Sequence, residues 1–542
     1  MSGIEAVGIR SHPVLTCAEA KSWEMRLLPD EAAEWAAMQL AGKAVAEAVL
    51  EDFKEVGGLP AQARLLVLVG KGHNGGDALL AARAILAGRS DARAVVVLCF
   101  RAAALRPLVS RALDWLKGDA PGRVDLIPAG QALAAGEFYA LCLDGIFGFQ
   151  FRAPMDADTA ALIDTVNAHA SIKFRAAIDL PSGVGETNAG TIFRADFTYA
   201  TGIVKKPVLS SDVATSVGRV RYLDLGFFEN VAGLGEPRPG SATPATERIL
   251  TAQVLAPLGE LRSSQTDKRT FGHLFVIGGS RSYPGAVVLA VRAALRSGAG
   301  LVTAFVPERL APDYAARHPE AMWVGCPETA KGGLAQGTLG LIQERLSRAT
   351  ALLIGPGMSA EPEVLSTVEA IVRNTSLPLV LDADALRPEV IACVKGKPFI
   401  GTPHAGEFQR IAPELYTADQ FTAPQGVLVL KGPMTRVTDG KTTYCSPFGG
   451  PVLARGGSGD ILAGLIGGLL AQKPDDLVLA ACRGAVWHGR AADLLARARG
   501  QVAVEISEIL EQLGPALTSW SVPIKFRDGL STHPGAAHHP SS

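Results

Sequence analysis

The chain has 542 residues, and length alone suggests roughly two to four domains rather than one core. Hydrophobic residues make up 48% and charged residues 19%, which excludes global disorder. Lysine plus arginine (52) nearly cancels aspartate plus glutamate (53), which excludes a basic field drawing in nucleic acid or an anionic membrane. Anionic ligands must then be held by local devices such as helix N-termini.

The opening residues, with Glu5, Arg10 and His12, lack the basic-then-apolar build of a signal peptide. No run of about 20 apolar residues free of charge is present to span a bilayer. The seven cysteines are scattered and odd in number, with no CxxC pair, so reduced thiols in a cytoplasmic protein are expected.

Apolar residues at three- and four-residue spacing predict a helix over Ala32–Leu50. Short apolar strands follow at Leu65–Val69, Ala94–Phe100, Ala140–Leu143 and Ala176–Ile178, separated by alanine-rich helical segments. That alternation predicts an α/β fold with a parallel sheet buried on both faces. After the first strand comes Gly70-Lys71-Gly72-His73-Asn74-Gly75-Gly76-Asp77, then a helix over Ala78–Leu86. Glycines here let backbone approach a ligand, and the helix start offers unpaired N–H groups to a phosphate. A dinucleotide site of the hydride-transfer type would also carry an acidic residue after the next strand. Arg101 follows that strand instead, which disfavours a dehydrogenase. Leu143-Asp144-Gly145-Ile146-Phe147-Gly148 and Ile178-Asp179-Leu180-Pro181-Ser182-Gly183 each put a carboxylate at a strand's carboxyl end. Either alone reads equally as a helix cap. Together with the glycine loop they converge where open α/β sheets bind ligands.

Residues 231–246 hold Gly233, Gly235, Pro237, Pro239, Gly240 and Pro244, a density that predicts a linker. The same strand–helix alternation then resumes, with strands at Leu274–Ile277, Leu301–Phe305, Ala351–Ile354, Leu379–Leu381 and Val427–Leu430 and a helix over Ala286–Leu295. No phosphate-cradling P-loop can be built: the only Gly-Lys-Thr, at 440–442, has Thr435 where the first glycine belongs. The informative run is Gly456-Gly457-Ser458-Gly459-Asp460 before an apolar helix, Ile461–Leu470. Small residues there aim several N–H groups at one point, an anion hole for a transferring phosphoryl group. Asp460 can act as general base beside it, or merely complement the helix dipole. A tail from 521 to 542, with three of the ten histidines, reads as disordered.

The first set of motifs, "GxGxNGGD", "DxxFG", "DxPSG" and Ala195-Asp196-Phe197-Thr198 with Lys205 beyond, resembles the epimerase domain of NAD(P)H-hydrate repair proteins. The resemblance implies that His73, Asn74, Gly75, Gly76 and Asp77, with Gly148, Phe149, Gln150, Phe151, Arg152, Ala153 and Pro154, line the ligand. It implies Asp179 beside the reacting ring and a potassium ion on Asn74, Asp144 and Ser182. The family usually has asparagine where this chain has His73 and glycine where it has Ala78, and Ala78 is expected to narrow the loop's backbone freedom.

In the second half, Gly278-Gly279-Ser280, Ile354-Gly355-Pro356-Gly357, Thr402-Pro403-His404-Ala405-Gly406-Glu407, Leu430-Lys431-Gly432-Pro433-Met434-Thr435 and "GGSGD" resemble the ribokinase-like fold, more narrowly the NAD(P)H-hydrate dehydratase branch. The resemblance implies that Ala286, Gly357, His404 and Asp460 meet the hydrated nucleotide. Lys431, Gly432, Pro433, Met434 and Thr435, with Gly459, would hold ADP or ATP with Mg2+. The run Tyr444–Arg455 lacks the asparagine-rich stretch expected before the glycine loop.

The reading is therefore two α/β domains: a Rossmann-like three-layer αβα sandwich over 1–230 and a ribokinase-like domain over 247–520. Asp179 and Asp460 are the expected catalytic residues of an epimerase (isomerase) and a dehydratase (lyase) that repair hydrated NADH and NADPH, NADHX and NADPHX. A cytoplasmic homo-oligomer without nucleic-acid or membrane partners is expected. The alternative is a ribokinase-like small-molecule kinase fused to a non-catalytic nucleotide-binding module.

Overall fold

The computed structural model describes residues 8–128, 136–188, 190–229, 246–417 and 420–518. The chain divides into two compact units, one beginning at His12 and the other spanning Pro244–Trp520 together with the residues up to Ser11. Residues 10 and 11 go with the second unit because the Arg10 carbonyl accepts from Thr251 N–H (3.2 Å) and the Ser11 carbonyl from Arg248 Nη2 (2.9 Å). The expected linker, apart from Thr246, and the expected tail lie outside the described residues.

The first unit is built on seven strands: β1 (Arg64–Val69), β2 (Arg93–Leu98), β3 (Val124–Pro128), β4 (Leu141–Gly145), β5 (Arg175–Ile178), β6 (Phe197–Thr201) and β7 (Arg219–Leu223). All pair in parallel, in the order β3-β2-β1-β4-β5-β6-β7. Alternation in β1 sends Leu65, Val67 and Val69 into a core under helices Glu31–Phe53, His73–Gly88 and Pro107–Asp119. Leu66 and Leu68 enter the opposite core, with Leu162, Ile163 and Val166 of helix Ala157–Ala168. Period-two alternation thus produces the three αβα layers. The strand order reverses between β1 and β4, and a crevice forms there at the strand carboxyl ends.

The main sheet of the second unit has ten strands among the described residues: β8 (Thr246–Leu250), β9 (His273–Ile277), β10 (Leu301–Pro307), β11 (Met322–Cys326), β12 (Ala351–Ile354), β13 (Leu379–Leu381), β14 (Phe399–Gly401), β15 (Gly426–Leu430), β16 (Thr435–Thr438) and β17 (Thr442–Ser446). Their order is β11-β10-β9-β12-β13-β14-β15-β16-β17-β8. Pairing is parallel from β11 to β15, then antiparallel through the β15–β16 and β16–β17 hairpins. Leu274 and Val276 face helices Pro284–Arg296, Ser458–Gln472 and Leu477–Arg499; Phe275 and Ile277 face helix Pro362–Arg373.

Two helices start earlier than their apolar periodicity predicts. The helix expected from Ala78 begins at His73, with Gly72 as its N-cap, and the one expected from Ile461 begins at Ser458 after Gly457 at φ 92°. The glycine runs are thus first helical turns, where not every N–H group finds a partner within the helix; the Gly75 N–H does, donating to the Gly72 carbonyl at 2.9 Å. Ala78 consequently does not narrow a loop: it sits inside the helix, fully buried, where alanine is the favoured residue. Its methyl group fits because position 145 is glycine; a Cβ there would come within 2.5 Å of the Ala78 Cβ.

Two candidate active sites

At the carboxyl ends of β1, β4 and β5 lies a cavity of about 460 Å3. Its walls include Glu24, His73, Asn74, Asp77, Gly148, Phe149, Gln150, Phe151, Arg152, Pro154, Asp179 and Lys205. Asp179 stands just past β5 at φ 65°, in the left-handed region that a non-glycine residue seldom occupies. The fold holds it there: its N–H donates to the Tyr199 carbonyl at 2.8 Å, and its Oδ1 accepts from Lys205 Nζ at 2.5 Å. Phe149 N–H donates to Oδ2 at 3.3 Å. Gly148 lets this loop come close, since a Cβ would lie 3.3 Å from Asp179 Oδ2 and 3.4 Å from Asn74 Cγ.

Lys205 is sealed, its side chain 1% exposed, and Glu24 Oε1 stands 3.8 Å from its ammonium on the other side. Burial pulls the lysine's pKa down, but Asp179 and Glu24 override it and hold it above its ordinary value. Burial, helped by Asp179 and opposed by Lys205, raises Glu24 to about 7. Asp77 is pushed well above the usual carboxylate range by burial and by the charges of Asp179 and Glu24.

Behind the cavity, Ser182 Oγ donates to Asp144 Oδ1 (2.6 Å) and accepts from Phe147 N–H (2.9 Å). Ser182 N–H donates to Asp144 Oδ2 (2.7 Å), and Asn74 Nδ2 donates to the Phe147 carbonyl (2.8 Å). Burial raises Asp144 to about 6, against the pull of these Ser182 bonds. Asn74, Asp144 and Ser182 are therefore brought together through the backbone N–H and carbonyl of Phe147.

Not every expected residue reaches the cavity. Gly75 and Gly76 lie beneath its wall, where a Cβ would collide with the Gly70 carbonyl or the Met38 thioether. Ala153 is not among the lining residues, because its neighbours Arg152 and Pro154 take that surface. His73 stands at the rim with Nε2 3.4 Å from Glu34 Oε2, and burial lowers its pKa. Lys71, Phe100 and Arg106 also line the mouth, and the sequence reading assigned them no part.

The second unit repeats the device at the ends of β13, β14 and β15. Asp382, 2% exposed, accepts from Thr402 Oγ1 (2.6 Å) and Lys431 Nζ (2.9 Å) on the same Oδ1. Glu407 Oε2 lies 3.7 Å from Lys431 Nζ. His404 caps helix Ala405–Leu415: its Nδ1 accepts from the Gly406 and Glu407 N–H groups at 3.0 and 3.3 Å. Its backbone bridges to Lys431, whose N–H donates to the Pro403 carbonyl at 2.9 Å. A Cβ on Gly459 would fall 3.2 Å from Lys431 Nζ and 3.9 Å from Asp382 Oδ2, so the helix start of Ser458–Gln472 faces this cluster. Asp460, in that first turn, is raised to about 7 by burial and by Asp382, with Lys431 opposing. Gly357, at φ 65°, abuts the Tyr283 carbonyl, with the Ala286 Cβ 2.9 Å from where its own would be. Gly432, Pro433 and Met434 form the β15–β16 turn, and Thr435 opens β16.

Asp382 and Glu407 are the residues whose role the sequence did not disclose, although Asp382 follows a strand just as Asp144 and Asp179 do. Glu24 had no signal at all, lying in helix Cys17–Leu27 ahead of the first motif.

These features define a two-domain α/β enzyme with a buried lysine–carboxylate cluster at the strand ends of each domain. Residues 35–207 match the family described as YjeF-related protein N-terminus, and residues 274–514 match NAD(P)H-hydrate dehydratase. A bifunctional NAD(P)H-hydrate repair enzyme from Gloeobacter violaceus is 36% identical over 507 residues, covering 89% of this chain and 94% of that protein. One from Moorella thermoacetica is 33% identical over 514 residues, covering 88% and 91%. Among solved structures, an ADP/ATP-dependent NAD(P)H-hydrate dehydratase from Bacillus subtilis, co-crystallized with ATP/Mg2+, is 26% identical and covers 49% of this chain and 96% of that one, at a TM-score of 0.40. The chain belongs to the family of bifunctional NAD(P)H-hydrate repair enzymes. No helix among the described residues is long and apolar enough to cross a membrane.

Proposed function

We propose that the N-terminal domain interconverts the R and S epimers of hydrated NADH or NADPH at C6, and that the C-terminal domain returns the S epimer to NAD(P)H with consumption of ADP or ATP. The observation that carries the second half is Asp460: a carboxylate raised to about 7 in the first turn of a glycine-bearing helix, facing Lys431. A base of that strength suits deprotonation of a substrate hydroxyl near neutral pH. The C6 hydroxyl is a poor leaving group. Asp460 takes its proton as the oxygen attacks the terminal phosphorus, the bond to the remaining nucleotide breaks, and the Gly459 N–H group at the helix start stabilises the transferring charge. The ring nitrogen lone pair then expels phosphate, and loss of a proton from C5 of the resulting iminium gives the dihydronicotinamide ring. Lys431, free on its outer side, draws the nucleotide phosphates in; Ala286, Gly357 and His404 seat the hydrated ring. Mg2+ would arrive on the nucleotide and supply further neutralisation of phosphate charge.

In the first domain Asp179, clamped by Lys205, exchanges the proton of the water that leaves or joins C6. Asn74, Asp144 and Ser182 fit a potassium ion, since amide, carboxylate and hydroxyl oxygens suit a hard monovalent cation. When bound, it would supply positive charge to this site.

The test is a full-length reaction on the S epimer with ADP or ATP. Release of free phosphate with recovery of reduced-nicotinamide absorbance is expected. A stable phosphorylated product without that absorbance would instead mark a kinase.

A further inference from the structure

Epimerisation at C6 makes a geometric demand that one carboxylate cannot meet. The hydroxyl leaves from one face of the ring and water returns on the other, so a proton donor is needed on one side and an acceptor on the other. Two carboxyl groups held in different environments meet that demand in other reactions at a ring carbon.

The cavity holds such a pair. Asp179 and Glu24 both line it, and both reach Lys205, at 2.5 Å and 3.8 Å. Glu24 is fixed from below. Its helix is capped by a Thr16–Glu19 capping box, and its neighbour Trp23 is buried against Ile203, Leu225 and Phe227. The short strand Ser11–Leu15 that feeds this helix pairs with Val204–Lys205, matching Leu15 to Lys205. Glu24 and Lys205 are thus set by one piece of backbone pairing. Only 24% of the Glu24 side chain is exposed, on a residue that lines the cavity.

We propose that Glu24 is a second catalytic residue of the epimerase, acting on the opposite ring face from Asp179, with Lys205 passing the proton between them. This rests on the epimerase reading of the site. Glu24, protonated, gives its proton to the C6 oxygen as the C–O bond breaks; water departs and the ring nitrogen lone pair forms an iminium. Water then adds to the other face and Asp179 takes its proton. Lys205 gives a proton to Glu24 and receives one from Asp179, which restores the starting state with no net change. The charged and titratable groups near Glu24 are Lys205, whose ammonium is 3.8 Å away, Asp179, Asp77 of helix His73–Gly88 and Glu34 of helix Glu31–Phe53, with Cys17 also beside Lys205. Burial is the main cause favouring a neutral Glu24; Asp179 and Glu34 add to it and Lys205 opposes it.

The experiment compares Glu24→Gln and Asp179→Asn in the full chain, following R-hydrate with ADP or ATP while the same preparation's turnover of S-hydrate checks that the chain is folded. Glutamine keeps the shape and hydrogen bonding of a protonated glutamate but has no proton to give. Glu24→Gln is expected to lower R-hydrate kcat by about 100-fold or more with little change in KM. It should also remove the alkaline limb of the pH–rate profile near 7, and Glu24→Asp should restore part of the rate. Wild-type rates in Glu24→Gln with loss in Asp179→Asn would overturn this proposal and leave the epimerase reading standing. Wild-type rates in both would overturn both. A slowed Glu24→Gln enzyme that kept the alkaline limb would reduce Glu24 to a structural role and overturn the proposal.

Discussion

Both domains hold a lysine between two carboxylates at the ends of parallel strands, Lys205 with Asp179 and Glu24, Lys431 with Asp382 and Glu407. The distances nearly coincide, yet the exposed member differs. In the N-terminal site the lysine is sealed at 1% and the outer carboxylate, Glu24, is the open one. In the C-terminal site the inner carboxylate is sealed at 2% and the lysine is open at 21%. On the proposed function, the first arrangement would present acids to a ring whose hydroxyl must be protonated and released, and the second a cation to an anionic phosphoryl donor. One polar device would then serve two chemistries according to which member is open.

The comparison predicts a sharp split on mutation. Asp460→Asn should lower S-hydrate turnover by about a thousandfold, while R-to-S conversion by the same chain stays intact. Loss of both activities would break the claim that each domain carries its own site. Burial predicts the next effect. Lys205→Met strands Asp179 in a closed site and should destabilise the N-terminal domain by about 3 kcal/mol or more. Lys431→Met, at a more open lysine, should cost the C-terminal domain less. Hydrogen exchange resolved by domain would show the difference, and equal losses would contradict it.

A smaller effect follows from pH. Asp460 must be ionised to act as base, so dehydratase turnover should rise as pH passes through about 7 and then level off. The stability linkage runs the other way. The folded-state value lies above the ordinary 3.8, so this group's contribution is fully present below that value and is lost as pH rises through about 7. Asp460→Asn should remove both slopes. The smallest effect concerns the rim. His73 is 40% exposed and pairs only at its tip with Glu34, so His73→Asn should alter epimerase turnover by less than about fivefold.

Much of this was legible in the sequence because strands buried on both faces leave continuous apolar runs. Leu65–Val69 and Leu274–Ile277 fall within strands that lie next to a site. Asp144, Asp179 and Ser182 could be found because strand-end carboxylates sit beside glycine turns. The helix starts at His73 and Ser458 could not, since glycine and asparagine are poor helix formers and the first turn here is stabilised by packing, as at Gly76 against Met38. Asp382 obeyed the same strand-end rule as Asp179, and the run Asp382-Ala383-Asp384 is visible after its strand, but its partner Lys431 lies 49 residues on in the chain. Glu24 was invisible because its place beside Lys205 comes from pairing Val14 and Leu15 with Val204 and Lys205, far apart in the chain.

The central claim is that two complementary sites act on the two epimers within one chain. Its most direct test is a time course on a mixed-epimer hydrate with ADP or ATP, comparing the unaltered chain with Asp179→Asn. The unaltered chain should convert the mixture completely in one course, and Asp179→Asn should stall when the S epimer is spent. A stall in the unaltered chain, or complete conversion at an unchanged rate by Asp179→Asn, would contradict it.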